Sequence, residues 1–213
     1  MRPPQFRELL EIADDGTFTM WRSVSMASEL PSPIGRFAGH VAEVEQMELV
    51  VAAKRAADEG SQTRVVTPDS PVDRFGADGA GATLGIHDRG EGAWEVLAGL
   101  VRPLLKKLTA SPVAAIALQV DDGATLVHQG TEPLRLDLSR LAVRADHWRG
   151  SDSAGRWTSP ETDEGDVVAS PGWQLSLPFE HGLDLRASDR LSVHVSFAAY
   201  DRDQLIPVSL QSP

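Results

Sequence analysis

Histidine is the side chain best suited to proton and metal chemistry, and this chain spreads its six, His40, His87, His128, His147, His181 and His194, one to a segment. No two are two, three or four residues apart. Zinc sites commonly place two ligands on one element, because a local pair lowers the entropy of assembling the coordination sphere. The expectation is no metal, and any metal or acid–base centre must converge from distant segments. His147 is the natural nucleus of such a centre, since Asp146 and Trp148 flank it at what reads as a strand end. Neighbours along a strand point to opposite faces, however, so Asp146 is badly placed to orient the imidazole.

Other chemistries have weaker signals. The run Gly150-Ser151-Asp152-Ser153-Ala154-Gly155 has the wrong spacing for a hydrolase nucleophile elbow and reads as a glycine–serine loop between strands. Gly76-Ala77-Asp78-Gly79-Ala80-Gly81 is glycine-rich but lacks the lysine and the strand–loop–helix setting of a phosphate cradle, so it reads as a flexible turn. Glu161, Asp163, Glu164 and Asp166 share one acidic loop, and Asp201 and Asp203 another; neither follows a calcium-loop pattern. Three tryptophans, Trp148, Trp157 and Trp173, lie in the C-terminal half, where an exposed indole could stack on a sugar ring. Trp157, on a polar hairpin, is expected to be the exposed one, with Trp148 and Trp173 in the core. Trp157, Asp146, His147 and Trp148 are therefore the candidate binding residues, and no catalytic residue is assigned.

Composition narrows the classes further. The 213 residues include no cysteine, which removes disulfides, thiolate metal sites and thiol nucleophiles. Twenty basic residues face 31 acidic ones, a net charge of −11. Residues 1–110 carry 12 basic and 16 acidic side chains, residues 111–213 carry 8 and 15, and those eight are all arginine. So acidic a surface repels a phosphate backbone, and no basic stripe interleaved with aromatics offsets it, so nucleic acid is not an expected partner. The start, Met1-Arg2-Pro3-Pro4, lacks the apolar run of a signal peptide, and no stretch approaches the roughly 18 to 20 apolar residues of a membrane span. A soluble, cytoplasmic protein without membrane contact is expected.

The elements that would position these residues change character near residue 111. Before it, Phe6, Leu9, Leu10 and Ile12 predict a short helix over 3–13, closed by Asp14-Asp15-Gly16, and residues 17–26 predict a strand. Ser32-Pro33 resembles a helix start, and Phe37, Val41, Val44, Met47 and Val51 then predict one apolar stripe on a helix ending near Glu59-Gly60. Strands are expected at 63–67 and 82–87, with a loop over 68–81. Trp94, Leu97, Val101, Leu104 and Leu108 predict a second helix over 92–109, bent at Pro103. After Ser111-Pro112 the period becomes two. Strands follow at 113–120 and 124–128 across an Asp121-Asp122-Gly123 turn, then around 134–138, 141–144, 156–158, 173–177, 191–197 and 205–210, about eight or nine in all. Leu191, Val193, Val195 and Phe197 should face the core, and Ser192, His194 and Ser196 should face outward.

The pattern predicts an α+β fold, in which residues 1–110, with two amphipathic helices and short strands, pack on a C-terminal antiparallel β-sandwich of residues 111–213. The two-residue joint at Ser111-Pro112 leaves room for both to form one compact body. With no local catalytic signature and no expected cofactor, the sequence favours a non-catalytic binding protein that recognises a protein partner through its acidic surface. A carbohydrate-binding sandwich using exposed tryptophan and an enzyme with a converging His/Asp site are the alternatives.

Overall fold

The computed structural model describes residues 8–23, 33–63, 72–85, 88, 90–108, 112–120, 124–159, 165–177, 189–201 and 203–212. The chain begins with strands β1 (Glu8–Ile12), β2 (Thr17–Arg22) and β3 (Ile34–His40), helix α1 (Glu43–Glu59), and strands β4 (Gln62–Thr63), β5 (Val72–Ala77) and β6 (Ala80–Gly85). Helix α2 (Gly92–Leu108) follows, then β7 (Pro112–Val120), β8 (Ala124–Gly130), β9 (Leu134–Arg149), β10 (Asp152–Thr158), β11 (Asp166–Ala169), β12 (Gln174–Leu177), β13 (Arg190–Asp201) and β14 (Gln204–Gln211). The described residues are thus mostly β, with two helices.

These elements fall into two compact units that interleave in sequence. One comprises Met1–Glu11, Thr19–Ala38 and Ser111–Pro213; the other comprises Ile12–Phe18 and Gly39–Ala110. The first unit holds a six-stranded sheet, ordered β1-β2-β3-β7-β8-β12, and a five-stranded sheet, ordered β10-β9-β13-β14 with β11 also on β9. All the registered pairs of these two sheets are antiparallel. A single hydrophobic cluster draws on both: Trp21, Ile34, Ile116 and Leu126 from one sheet, Leu136, Val143, Val193, Phe197 and Leu210 from the other. The N-terminal strands join the C-terminal ones through β3 and β7, where Ile34 opposes Ile116. Gly35 makes that pairing possible. Its φ is 129°, and a Cβ there would lie 2.3 Å from the Ala114 carbonyl oxygen, so only glycine fits.

In the second unit, α1 and α2 are joined end to end by polar contacts. The Glu59 carboxylate, at the last residue of α1, accepts from the Ala93 backbone N–H at 2.9 and 3.0 Å, satisfying a free donor in the first turn of α2. The Trp94 indole donates to the Gly60 carbonyl at 2.9 Å. Further along α2, the Arg102 guanidinium pairs with Asp73 of β5 at 2.7 Å. A small sheet, ordered β4-β6-β5, completes the unit. Pro103 lies inside α2 as expected. Among the described residues no helix is long and apolar enough to cross a membrane.

Five predicted elements differ from the observed ones, the first being that the strands expected at 134–138 and 141–144 are one continuous strand, β9. Within 3–13, residues 8–12 are strand β1 and not helix; Phe6 lies outside the described residues. Asp14-Asp15-Gly16, expected to end a helix, instead turns β1 into β2, with Asp15 accepting from the Thr17 N–H at 2.9 Å and Gly16 at φ 82°. Phe37 belongs to β3, and α1 starts at Glu43. Its buried residues are Leu49, Ala52 and Ala56, whereas Val44, Met47 and Val51 are 64, 58 and 49 % exposed, so the predicted stripe faces solvent. The small alanines allow a neighbouring element to approach closely, and that close packing outweighs the larger side chains. The loop expected over 68–81 contains β5, whose hairpin with β6 turns on Asp78 and Gly79, both at positive φ (45° and 84°), the type I′ arrangement. Finally, the short strand expected around 156–158 is longer, the seven-residue β10 paired along β9. The Asp121-Asp122-Gly123 turn lies outside the described residues.

Candidate functional site

Strand β9 is the axis of the candidate site. Its core-facing residues include Val143, Ala145 and His147, all buried, and the intervening residues Arg144, Asp146 and Trp148 lie on the other face of the five-stranded sheet. Register supplies their neighbours. Arg144 opposes Thr158 on β10 and His194 on β13; Asp146 opposes Arg156 and Ser192; Trp148 opposes Ser153 and Arg190. Directly opposed residues of antiparallel strands share a face, so these side chains form one polar surface three strands wide.

Asp146 organises it. One carboxylate oxygen accepts from Arg156 Nε at 2.6 Å, and the other pairs with Arg144 Nε at 3.0 Å, with the Asp146 side chain only 9 % exposed. The Arg156 hydrogen bond, with the charges of both arginines, holds the Asp146 carboxyl below the usual carboxylate range although burial opposes this. Burial, and then the Arg144 charge, push the His194 imidazole below the usual histidine value, with Asp146 pulling the other way. His194 is accordingly neutral at neutral pH. Trp148 is half-buried on this surface, and no hydrogen bond engages its indole N–H among the described residues.

The sequence-derived candidates divide between the two faces. Asp146 and His147 do point apart. His147 turns inward, where its Nε2 lies 2.7 Å from Asp189 Oδ2, and the two side chains are 4 and 1 % exposed. Arg149 Nη2 reaches the same oxygen at 3.4 Å. Trp157, expected to be the exposed tryptophan, opposes buried Ala145 on the inner face and packs against the hydrophobic cluster; Trp148 is the one on the outer face. Trp173 is partly buried against the same cluster. Leu191, Val193, Val195 and Phe197 line the inner face as expected, and His194 and Ser196 the outer one, but Ser192 is only 6 % exposed beside Asp146.

Several participants were not singled out in the sequence. Asp189 is 42 residues from His147 and follows residues outside the described set, so no local spacing points to it. Arg144, two residues before Asp146, was legible from strand alternation; Arg156 and Arg190 needed the register. A second cluster sits further along the same sheet. There Arg135 pairs with Asp166, its guanidinium lies 4.1 Å over the Tyr200 ring, and the Tyr200 hydroxyl donates to Asp166 at 3.3 Å. Among the described residues no three His, Asp or Glu side chains are placed to share a metal ion. His87, His181, Glu161, Asp163 and Glu164 lie outside them.

A different surface belongs to the second unit. Val44, Met47 and Val51 form an exposed apolar line on α1, flanked by exposed Glu43, Glu48 and Asp58, with Lys54 and Arg55 toward its end. Next to it, a shallow depression of about 200 Å³ is lined by Ala52, Arg55 and Glu59 of α1 and Gly92, Ala93 and Val96 of α2. No protein family, curated protein or solved structure matches the chain.

Proposed function

We propose that this is a non-catalytic binding protein in which the two larger sheets pack as a β-sandwich and helix α1 receives a protein partner. A cytoplasmic setting is part of this reading. The exposed line Val44, Met47 and Val51 carries it, because a contiguous apolar patch on a water-facing helix costs solvation unless something covers it. Three exposed acidic residues, Glu43, Glu48 and Asp58, outnumber the two cations Lys54 and Arg55 along that face, within a chain of net charge −11. The chemistry that complements it is a basic amphipathic helix, whose apolar side seats on the valines and methionine while its lysines or arginines meet the glutamates. The sandwich is supported by the single hydrophobic cluster fed by both sheets.

The test is fluorescence anisotropy of a labelled lysine–leucine amphipathic helical peptide against the full chain. Binding is expected to weaken at least tenfold with Met47→Asp and to remain unchanged with Val168→Asp, an exposed apolar control on β11. Equal loss from both variants, or from neither, rejects the reading. So does concentration-dependent self-association that Met47→Asp abolishes, which would make the occupant a second copy of the chain.

A further inference from the structure

The outer face of the five-stranded sheet is a local excess of positive charge on an acidic protein. Arg144 and Arg156 share the single carboxylate of Asp146, and their side chains remain 46 and 64 % exposed, leaving guanidinium donors toward solvent. Arg190 is exposed, makes no ion pair among the described residues and stands directly across from Trp148. Neighbouring strands are about 4.8 Å apart and alternate residues about 7 Å apart along a strand, so Trp148, Arg190, Asp146 and Arg156 fit within the footprint of one or two sugar rings.

We infer that this face, centred on Trp148 and Arg190 with the Arg144–Asp146–Arg156 cluster beside them, is a binding site for a short acidic saccharide. The half-buried indole offers a flat apolar surface on which a pyranose ring can lie. Arg190 offers two parallel N–H donors to a ring carboxylate, the geometry in which guanidinium exceeds ammonium. The Asp146 cluster does the positioning. Each of its oxygens holds one Nε, which fixes both guanidinium planes while leaving their outer N–H groups for hydroxyls or a second carboxylate. His194, neutral at neutral pH, adds a hydrogen-bonding group without adding charge. Nucleotide phosphates are served poorly here, because the backbone N–H groups of a paired sheet are committed to the ladder. Long polyanions are disfavoured by the overall charge of −11. This inference deepens the reading as a binding protein but concerns a surface separate from α1.

Isothermal titration calorimetry of the full chain with trigalacturonic acid at pH 7 and low salt tests it. Trigalacturonate is expected to bind, and maltotriose, its neutral counterpart in size, to give no heat over the same range. Arg190→Ala and Trp148→Ala should each weaken binding at least tenfold, and Trp148→Phe, which keeps a ring and guards against loss of fold, should retain most of it. Arg135→Ala, at the distant cluster, and Met47→Asp, on α1, should leave the affinity unchanged, so that this site and the α1 surface succeed or fail independently. Absence of heat with trigalacturonate, equal binding of maltotriose, tighter binding of AMP, or indifference to Arg190→Ala would each overturn the inference.

Discussion

Two carboxylates that serve side chains of strand β9, Asp146 and Asp189, do opposite jobs. Asp146 serves two arginines at a surface, and Asp189 serves His147 in the interior. Removing the interior partner is the costlier change. Asp189→Ala takes away a buried hydrogen bond and leaves the imidazole to be solvated by nothing comparable, and is expected to lower stability by roughly 1.5–3 kcal/mol in urea unfolding. The outer cluster gives a pH signature. The folded-state values of both His194 and Asp146 lie below their unfolded ones, so folding opposes protonation at each. The His194 contribution is complete above about pH 6.5 and is lost as pH falls through the lowered folded value; the Asp146 contribution follows below about pH 3.9. Unfolding midpoints should therefore decline on acidification from neutrality, and His194→Gln should flatten the first part of that decline while leaving the second. The opposed directions of Asp146 and His147 were legible in the sequence, because adjacency in a strand dictates them. The partnership of His147 with Asp189 was not, because it depends on a contact between residues 42 apart in the chain.

At the level of elements, helix α1 shows why periodicity alone misleads. Val44, Met47 and Val51 recur at helical spacing as strictly as core residues do, yet Leu49, Ala52 and Ala56 are buried. Spacing identifies a face; it does not say which face meets a neighbour. Val44→Asp should accordingly shift stability by no more than about 0.5 kcal/mol, whereas Leu49→Ala should cost roughly 2–5 kcal/mol, both read from denaturant melts. Equal effects would place the core on the other side of the helix. The hairpins teach a complementary lesson. Asp78-Gly79, flanked by a short alternating run, is a strong turn signal that its glycine-rich surroundings disguise as a loop. For β1 the decisive partner is β2 across the Asp14–Gly16 turn, and pairing overrode a local apolar spacing that suits a helix equally well. By contrast, α2 and the alternating strand β13 were legible, since their patterns are long, whereas β9 was read as two strands because its alternation changes phase at Ser139-Arg140.

For the molecule as a whole, the important fact is that the change of period near residue 111 does not coincide with the limits of the larger unit. Residues 19–38 belong with 111–213, and β3 lies between β2 and β7 in the six-stranded sheet. A fragment of residues 111–213 would leave the β7 edge, with buried Ala114 and Ile116, unpaired. Expressed alone, it is expected to lack a cooperative melt and to aggregate, as unpaired apolar edges do; a cooperative transition like that of the full chain would contradict this.

The β3–β7 pairing also has a consequence in time. During synthesis β3 emerges about 70 residues before β7. At roughly 5–20 residues per second, the growing chain carries an unfinished sheet for about 4–14 s before β7, the fourth strand in the order of that sheet, can dock. Through that interval Gly35, whose folded φ of 129° is matched to the Ala114 backbone of the later strand, sits on an open edge. The newborn protein is thus most exposed to misassembly on the ribosome, and a pause in translation between β3 and β7 would lengthen that exposure.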